Sequence, residues 1–491
     1  MPLFVAVPLL VAFAIPLVAR IRKGLVDSLA LLTVLSLVAF SIIAVLNTFP
    51  DKTLVYTMGG HQAPIGIILV LDSLSVLLLL TVAVVSTVAS LFSINYMNRF
   101  TGKPKFYTLL LLMIAGMNGV ILTGDFFNMY VFIEIAAISS YALVAFGTES
   151  EEIEASFKYM VLGSVASAFI LLAVIFIYAC CGTLNMAHVS QIIAEGGMNS
   201  VLWISLSLFI MGFSVKAALV PFHAWLPDAH PSAPAPISAM LSGVLIKAIG
   251  AYALIRIIFN VFGLTPTLSW ILMILGTLSM VIGVFLAIGQ WDYKRLLAYH
   301  SISQMGYVIF GIGLGTPLGI LGGLFHLLNH ATFKSLLFLN SGAVEYKTDT
   351  RDLKELGGLK EKMPVTSTTS LIASMSIAGI PPFNGFWSKL FIIIAGVMSG
   401  HYIMTLLAVI VSIVTLASFL KVEKFVYFGK LKEKFKNITE VPFFMGAAMV
   451  ILAFVCIGVG LAFPYVINVI LDPAVNVLLK GVEYAGRVLG G

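Results

Sequence analysis

Charge is what this chain lacks most. Only 10% of its 491 residues are Asp, Glu, Lys or Arg, against about 25% in a typical soluble domain. That scarcity excludes a soluble globular enzyme. With 60% hydrophobic residues and a mean hydropathy of +1.06, the chain belongs in a bilayer with little mass outside it. Cysteine is equally sparse: there are three, two of them the adjacent Cys180 and Cys181 within an apolar run, which give neither a disulfide framework nor a metal-ligand spacing. A Walker loop, a dinucleotide fingerprint, an HExxH helix and a nucleophile elbow are all missing. No catalytic residue, metal or cofactor is therefore expected in this chain. Nor does the net charge of +6 point to nucleic acid, because topology accounts for it. The first 19 residues lack a basic leader and run into Arg20, Arg22 and Lys23, so they read as a retained span, not a cleaved signal.

What the chain has is long apolar runs. A membrane span needs about 20 residues, and fourteen segments qualify: 2–19, 26–47, 67–94, 106–123, 126–147, 157–181, 201–228, 236–260, 268–289, 295–314, 317–341, 366–399, 401–428 and 443–470. The expected fold class is an all-α polytopic membrane protein of about 14 transmembrane helices. Segments 185–195 and 472–487 read as amphipathic surface helices.

The basic residues test this count. Alternating passes put Arg20, Arg22, Lys23, Arg99, Lys103, Lys105, Lys294 and Arg295 on one side. The lysines and arginine of 347–362 and the six lysines of 421–436 fall on the same side, for nineteen basic residues in all. Only Lys52, Lys480 and Arg487 fall opposite. The positive-inside rule then makes the basic side cytoplasmic and places both termini outside the cell membrane. Six basic residues remain, all within spans: Lys158, Lys216, Lys247, Arg256, Lys334 and Lys389. Lys158 and Arg256 lie near helix ends, where they are expected to snorkel to the interface.

Each of the other four demands a partner, because an ammonium at mid-membrane costs at least about 3 kcal/mol. Lys216 sits mid-span and Pro221 follows, so the seventh span breaks there. A kinked structural helix with a satisfied lysine is the plain alternative. Lys247 stands near the centre of 236–260 behind Ser238, Ser242 and Gly243, as a functional or a packing lysine. Glu134 is the acid well inside an apolar span, and beside a lysine it makes a proton site or a static ion pair. His326, His330 and Lys334 recur at steps of four, which puts them on one helix face. Such a stripe reads as a proton relay; metal or haem ligation by the two histidines is the competing reading. Pro381, Pro382 and Gly385 break the twelfth span, and Lys389 follows them. Two breaks five spans apart imply an inverted pair of five-helix repeats, spans four to eight and nine to thirteen, each with a broken helix. The chain then divides into N-terminal helices (1–105), a first repeat (106–260), a second repeat (261–428) and a last span with its tail (429–491). The lysines break the symmetry, since Lys216 precedes its break and Lys389 follows its own. His223 and His230 flank the seventh-span break and either line an exit path or cap the loop. Asp72 reads as a helix-end residue, and Glu149, Glu151, Glu152 and Glu154 as a solvated loop.

The stretches FNMYVFIEIAAISSYALVAF, SVKAALVPFHAWLPDAHPSAPAPISAMLSGVLIKAIGAY, RLLAYHSISQMGY, HLLNHATFKSLLF and AGIPPFNGFWSKL occur in that order. Together they resemble the antiporter-like subunits of respiratory complex I, Mrp-type cation/proton antiporters and energy-converting membrane-bound hydrogenases, over roughly residues 60–430. The chain is most similar to the Mrp-type D subunit, with its fourteen spans, its lack of a long lateral C-terminal helix and its lysine at 389. The resemblance implies proton translocation, with Na+ exchanged here or by a partner. It makes Glu134 and Lys216 the charge pair of a first half-channel and Lys247 the connecting lysine. His326, His330 and Lys334 become the bridge, and Lys389 the terminal lysine of a second half-channel. It also implies other membrane subunits as partners and assigns any redox chemistry to a peripheral module. Two other classes stand against this: a stand-alone secondary carrier of a small solute, and a structural membrane anchor for a redox module.

Overall fold

Helix follows hydropathy along almost the whole chain in the computed structural model, which describes residues 1–22 and 24–490. Lys23, assigned above to the first basic loop, lies outside them. The helices are α1 (Leu3–Ile21), α2 (Leu25–Thr48), α3 (Ser73–Tyr96), α4 (Lys103–Leu122), α5 (Phe126–Val144), α6 (Ser150–Cys181) and α7 (Met186–Gly196). They continue with α8 (Ser200–Lys216), α9 (Leu226–Ser232), α10 (Ala235–Phe262), α11 (Pro266–Ile288), α12 (Tyr293–Gly313) and α13 (Pro317–Thr348). The last are α14 (Pro364–Ala378), α15 (Asn384–Met398), α16 (Tyr402–Phe428), α17 (Phe443–Leu461), α18 (Phe463–Leu479) and α19 (Gly481–Leu489). Ten of these are long and apolar enough to cross a membrane, or eleven if the bent pair α18 and α19 counts as one span. The protein is a mostly helical, multi-pass membrane protein.

It is not all-α. Leu54–Thr57 (β1) pairs antiparallel with Ile68–Leu71 (β2), Leu54 facing Leu71 and Thr57 facing Ile68. The apolar run expected to open the third span at 67 is therefore strand, in keeping with its β-branched Ile68 and Val70. The span itself starts only after Asp72, whose carboxylate accepts from Ser75 N (2.9 Å) as an N-cap. The acidic cluster is also more ordered than a loop. Glu152 Oε2 accepts from Glu149 N (3.0 Å) in a capping box, and α6 begins at Ser150, where carboxylates favour the positive end of the helix dipole. Arg256 does not snorkel. It is buried and pairs with Asp72 (2.8 Å), with Tyr252, Ser75 and Asn260 completing its hydrogen bonds. Lys158 does reach the surface, where it pairs with Glu154 and Asp228.

α10 runs through the core, all of its apolar window buried. Close approach elsewhere rests on small residues. A Cβ on Gly306 of α12 would lie 2.5 Å from Gly276 O and Met280 N of α11, and one on Gly283 would lie 2.6 Å from Ser303 N. Where lipid is as apolar as leucine, such tight backbone packing is what joins helices. At one end of the molecule the tail folds back: α18 and α19 meet at 99°, and Asn260 donates to Val477 O (2.8 Å). Asp51, in the loop after α2, pairs with Arg487 (2.9 Å) and with Lys480.

Two outcomes follow. Gly306→Ala should cost about 1–3 kcal/mol, read as a lower melting temperature in detergent; an unchanged melting temperature would contradict the packing account. Partial burial pushes the Asp51 carboxyl upward, but Arg487 and Lys480 outweigh it and hold the group below the usual carboxylate value. Its contribution is then present above that usual value and lost as pH falls through the depressed one. Asp51→Asn should therefore raise hydrogen exchange in α19 at neutral pH, while in the unsubstituted protein exchange there should rise only in acid.

Candidate functional site

The site begins where α8 stops. Pro221 has no N–H to donate, and the chain leaves helical geometry from Ala218, at φ +53°. The freed groups are met by specific partners: Trp225 Nε1 donates to Val215 O (2.8 Å), and Val220 N donates to Ser279 Oγ (2.9 Å). Lys216 occupies the last turn of α8, buried, with its ammonium 3.5 Å from the Tyr141 hydroxyl. Glu134, one helix away, accepts from the Ser167 hydroxyl. Glu134 and Lys216 form no direct ion pair among the described residues; the Lys216 ammonium faces Tyr141, and the Glu134 carboxylate faces Ser167.

From Lys216 the polar groups continue inward. A Cβ on Gly250 would meet Ala217 Cα at 2.6 Å, so α10 packs directly on the break. Lys247, less than one turn earlier, is fully buried and donates to Ser242 O (2.5 Å) within a π-helical stretch of α10. Such stretches free a carbonyl from the ordinary ladder and recur at functional sites. Tyr141 packs edge-on against Tyr159 (4.6 Å between centroids), Tyr159 stacks on Trp225 (4.2 Å), and His230 lies beyond Trp225 (5.9 Å). The Phe338 ring lies 5.8 Å from the His230 ring and 5.6 Å from the Lys334 ammonium.

α13 supplies the expected stripe. His326 is held at both nitrogens, by Ser388 Oγ (3.0 Å) and Gln304 Oε1 (3.1 Å). That leaves it no free nitrogen for a metal, and no group of three or more ligating side chains occurs among the described residues. His330 stacks near it at 6.3 Å. Neither nitrogen of His330, neither nitrogen of His230, nor the Lys334 ammonium has a hydrogen-bond partner among the described residues, although all three residues are fully buried. Buried polar groups of this kind are satisfied by internal water. His230 is thus interior and not a loop cap, whereas His223 remains half-buried beside the break.

The second break, between α14 and α15, also has a buried lysine beside it. Lys389 reaches back across it to donate to Ile377 O (2.7 Å) and Ser412 Oγ (3.2 Å), and its ammonium lies 4.9 Å from the Tyr307 ring. Tyr307 in turn packs on His326 (5.4 Å). Lys216 and Lys389 therefore both sit at the C-terminal, negative end of a half-helix. The asymmetry in sequence disappears in space.

Four contributors escaped the sequence reading. Tyr141 and Gln304 look like ordinary helix residues until their partners are known. His300, whose Nε2 lies 2.8 Å from Ser418 Oγ, was hidden in the loop-proximal part of its span. Glu423 was masked by the lysines around it, but it is 3% exposed and accepts from Ser370 (2.9 Å) and Ser374 (2.8 Å). The available signal was the spacing of Thr366, Ser370 and Ser374, hydroxyls at steps of four in an apolar helix.

Residues 123–415 match the family described as NADH:quinone oxidoreductase/Mrp antiporter, transmembrane, and residues 57–107 match the complex I chain 5 N-terminus. The chain is 35% identical over 400 residues to the D subunit of the Na(+)/H(+) antiporter of Alkalihalophilus pseudofirmus, covering 81% of each. It superimposes on a chain of the Mrp complex from Dietzia sp. with a TM-score of 0.94 at 29% identity, covering 99% of this chain and 98% of that one. Against a chain of an archaeal membrane-bound sulfane sulfur reductase, a respiratory membrane complex, the TM-score is 0.92 at 34% identity over 99% of both. The chain belongs to the NADH:quinone oxidoreductase/Mrp antiporter membrane family.

Proposed function

We propose that this protein is a proton-translocating subunit of a multisubunit membrane complex, an Mrp-type cation (Na+)/proton antiporter or a complex I-like assembly. What carries this reading is one run of buried ionisable side chains that extends from one half-helix end to the other. Glu134 and Lys216 load and release the proton in a first half-channel, and Lys247 connects. His326, His330 and Lys334 pass it on, and Lys389 closes a second half-channel; His223 and His230 serve the exit beside the first break. The paired half-helix ends support an inverted repeat of spans four to eight (106–260) and nine to thirteen (261–428). Residues 1–105 pack beside these repeats, and 429–491 form the last span and its tail.

Fourteen passes fit this scheme. Ten helices meet the apolar criterion. The other four passes are α8 with α9, α12, α13, and α14 with α15: the breaks leave α8 and α15 apolar but short, and polar residues such as Gln304 and the α13 stripe lower the hydropathy of α12 and α13. The basic residues then face the cytoplasm and both termini face outward. No redox centre is assigned to this chain, so electron transfer in a complex I-like assembly falls to a peripheral module. The relatives' names, an antiporter subunit and a respiratory complex chain, support membrane partners in both cases.

In the assembled complex, Lys216→Met and Lys389→Met should each lower proton-coupled transport on the order of 10²-fold or more with assembly unchanged. Wild-type rates in both would mark a scaffold. Affinity purification of the tagged chain should bring down other membrane subunits; a chain recovered alone that imports a solute into liposomes would instead be a carrier.

A further inference from the structure

The interface between α14 and α16 carries buried polar groups that the proposed line does not use. Lys389 closes one end of it through Ile377 O on α14 and Ser412 on α16. At the other end, about three turns beyond Ser412, lies Glu423. Its Oε1 accepts from Ser370 and Ser374 of α14, and its Oε2 has no hydrogen-bond partner although buried. Between the two ends α16 presents Ser412, Thr415 and Ser418 at steps of three, which keeps them on one face. Ser418 holds His300 of α12, whose Nδ1 is also buried without a partner.

The charged and titratable groups around Glu423 have other commitments. Lys421 donates to Ile288 O and Gln290 O (2.7 Å each), and Lys424 lies exposed over the Phe425 ring. Tyr293 lies 3.5 Å from Ser370 Oγ, and the Tyr427 hydroxyl is buried nearby with no partner. No cation pairs with the carboxylate among the described residues. An ionised carboxylate buried without a cation is costly, and a proton removes that cost. The rise from Ser412 to Glu423 is about 16 Å at 1.5 Å per residue, enough to carry this polar face from Lys389 to the side where the basic loops gather.

We infer that Glu423 is a proton-binding site that connects Lys389 to the face carrying the basic loops, through the hydroxyls of α14 and α16 and through His300. The inference rests on the proton-translocating reading above and adds to it a second carboxylate, in the second half of the molecule. A merely structural glutamate, holding α14 to α16 through two serines, is the alternative to be separated.

The test uses the assembled complex in membrane vesicles. Glu423→Gln keeps the shape and the hydrogen bonds but cannot bind a proton. It should lower proton-coupled transport about tenfold or more, with Glu423→Asp recovering part of the rate. A protonated-carboxyl C=O band in pH-difference infrared spectra should vanish in Glu423→Gln. Ser370→Ala with Ser374→Ala, which leaves the carboxyl in place, should shift the pH profile of transport. Wild-type rate and pH profile in all three variants, with the infrared band retained, would overturn the inference. If Lys216→Met abolishes transport in the same vesicles, the broader reading stands even then; if it does not, the broader reading is what has failed.

Discussion

Everything in this structure answers to the cost of holding positive charge in the middle of a membrane. A lysine there must find carbonyls, dipoles or water, and a continuous helix has no carbonyls to give because each is already bonded. Breaking a helix supplies them. At the first break, Lys216 ends α8 near the free carbonyl end while Trp225 holds Val215 O. At the second, Lys389 takes Ile377 O itself. The prolines that follow or fill these gaps are thus part of how the charge is accommodated. A helix dipole contributes about half an elementary charge at its C-terminus, so both ammoniums gain from their position as well as from their bonds.

The rest of the fold keeps those two ends in register. Tight glycine contacts between α11 and α12 fix the second half, and the contact of Gly250 with Ala217 sets α10 against the first break. An aromatic ladder runs from Tyr141 through Tyr159 and Trp225 to His230 and on to Phe338 of α13, adding packing without charge. Ionic anchoring is mostly placed at the molecule's ends, as in Lys294 with Glu345 (2.7 Å) and Asp51 with Arg487 (2.9 Å). The interior between them is left with polar atoms that the protein alone does not satisfy. Groups whose partners are mobile water can change partners at little cost, whereas a closed ion pair would have to be broken first.

Much of this was legible because membrane insertion punishes charge so heavily. Each lysine and acid that survives within an apolar run announces itself, and the helical period groups His326, His330 and Lys334 on one face without further help. Less visible was anything that depends on who meets whom. The second strand of the short hairpin, Ile68–Leu71, reads as the start of the third span because strand and helix are equally apolar there. Arg256 reads as a snorkelling residue until Asp72, far away in sequence, is brought to it. The equivalence of Lys216 and Lys389 is invisible along the chain, because one belongs to the half-helix it serves and the other reaches back to a half-helix across the gap. Glu423 was hidden by neighbouring lysines that suggest a surface loop.

The central claim is that these groups form one hydrated line. The direct measurement is a high-resolution cryo-electron microscopy map of the assembled complex, with solvent resolved in the core. Ordered water bridging Lys216, His230, Lys247, His330, Lys334 and Lys389 into one unbroken chain is the expected result. A core in which those groups are separated by dry aliphatic packing would contradict it.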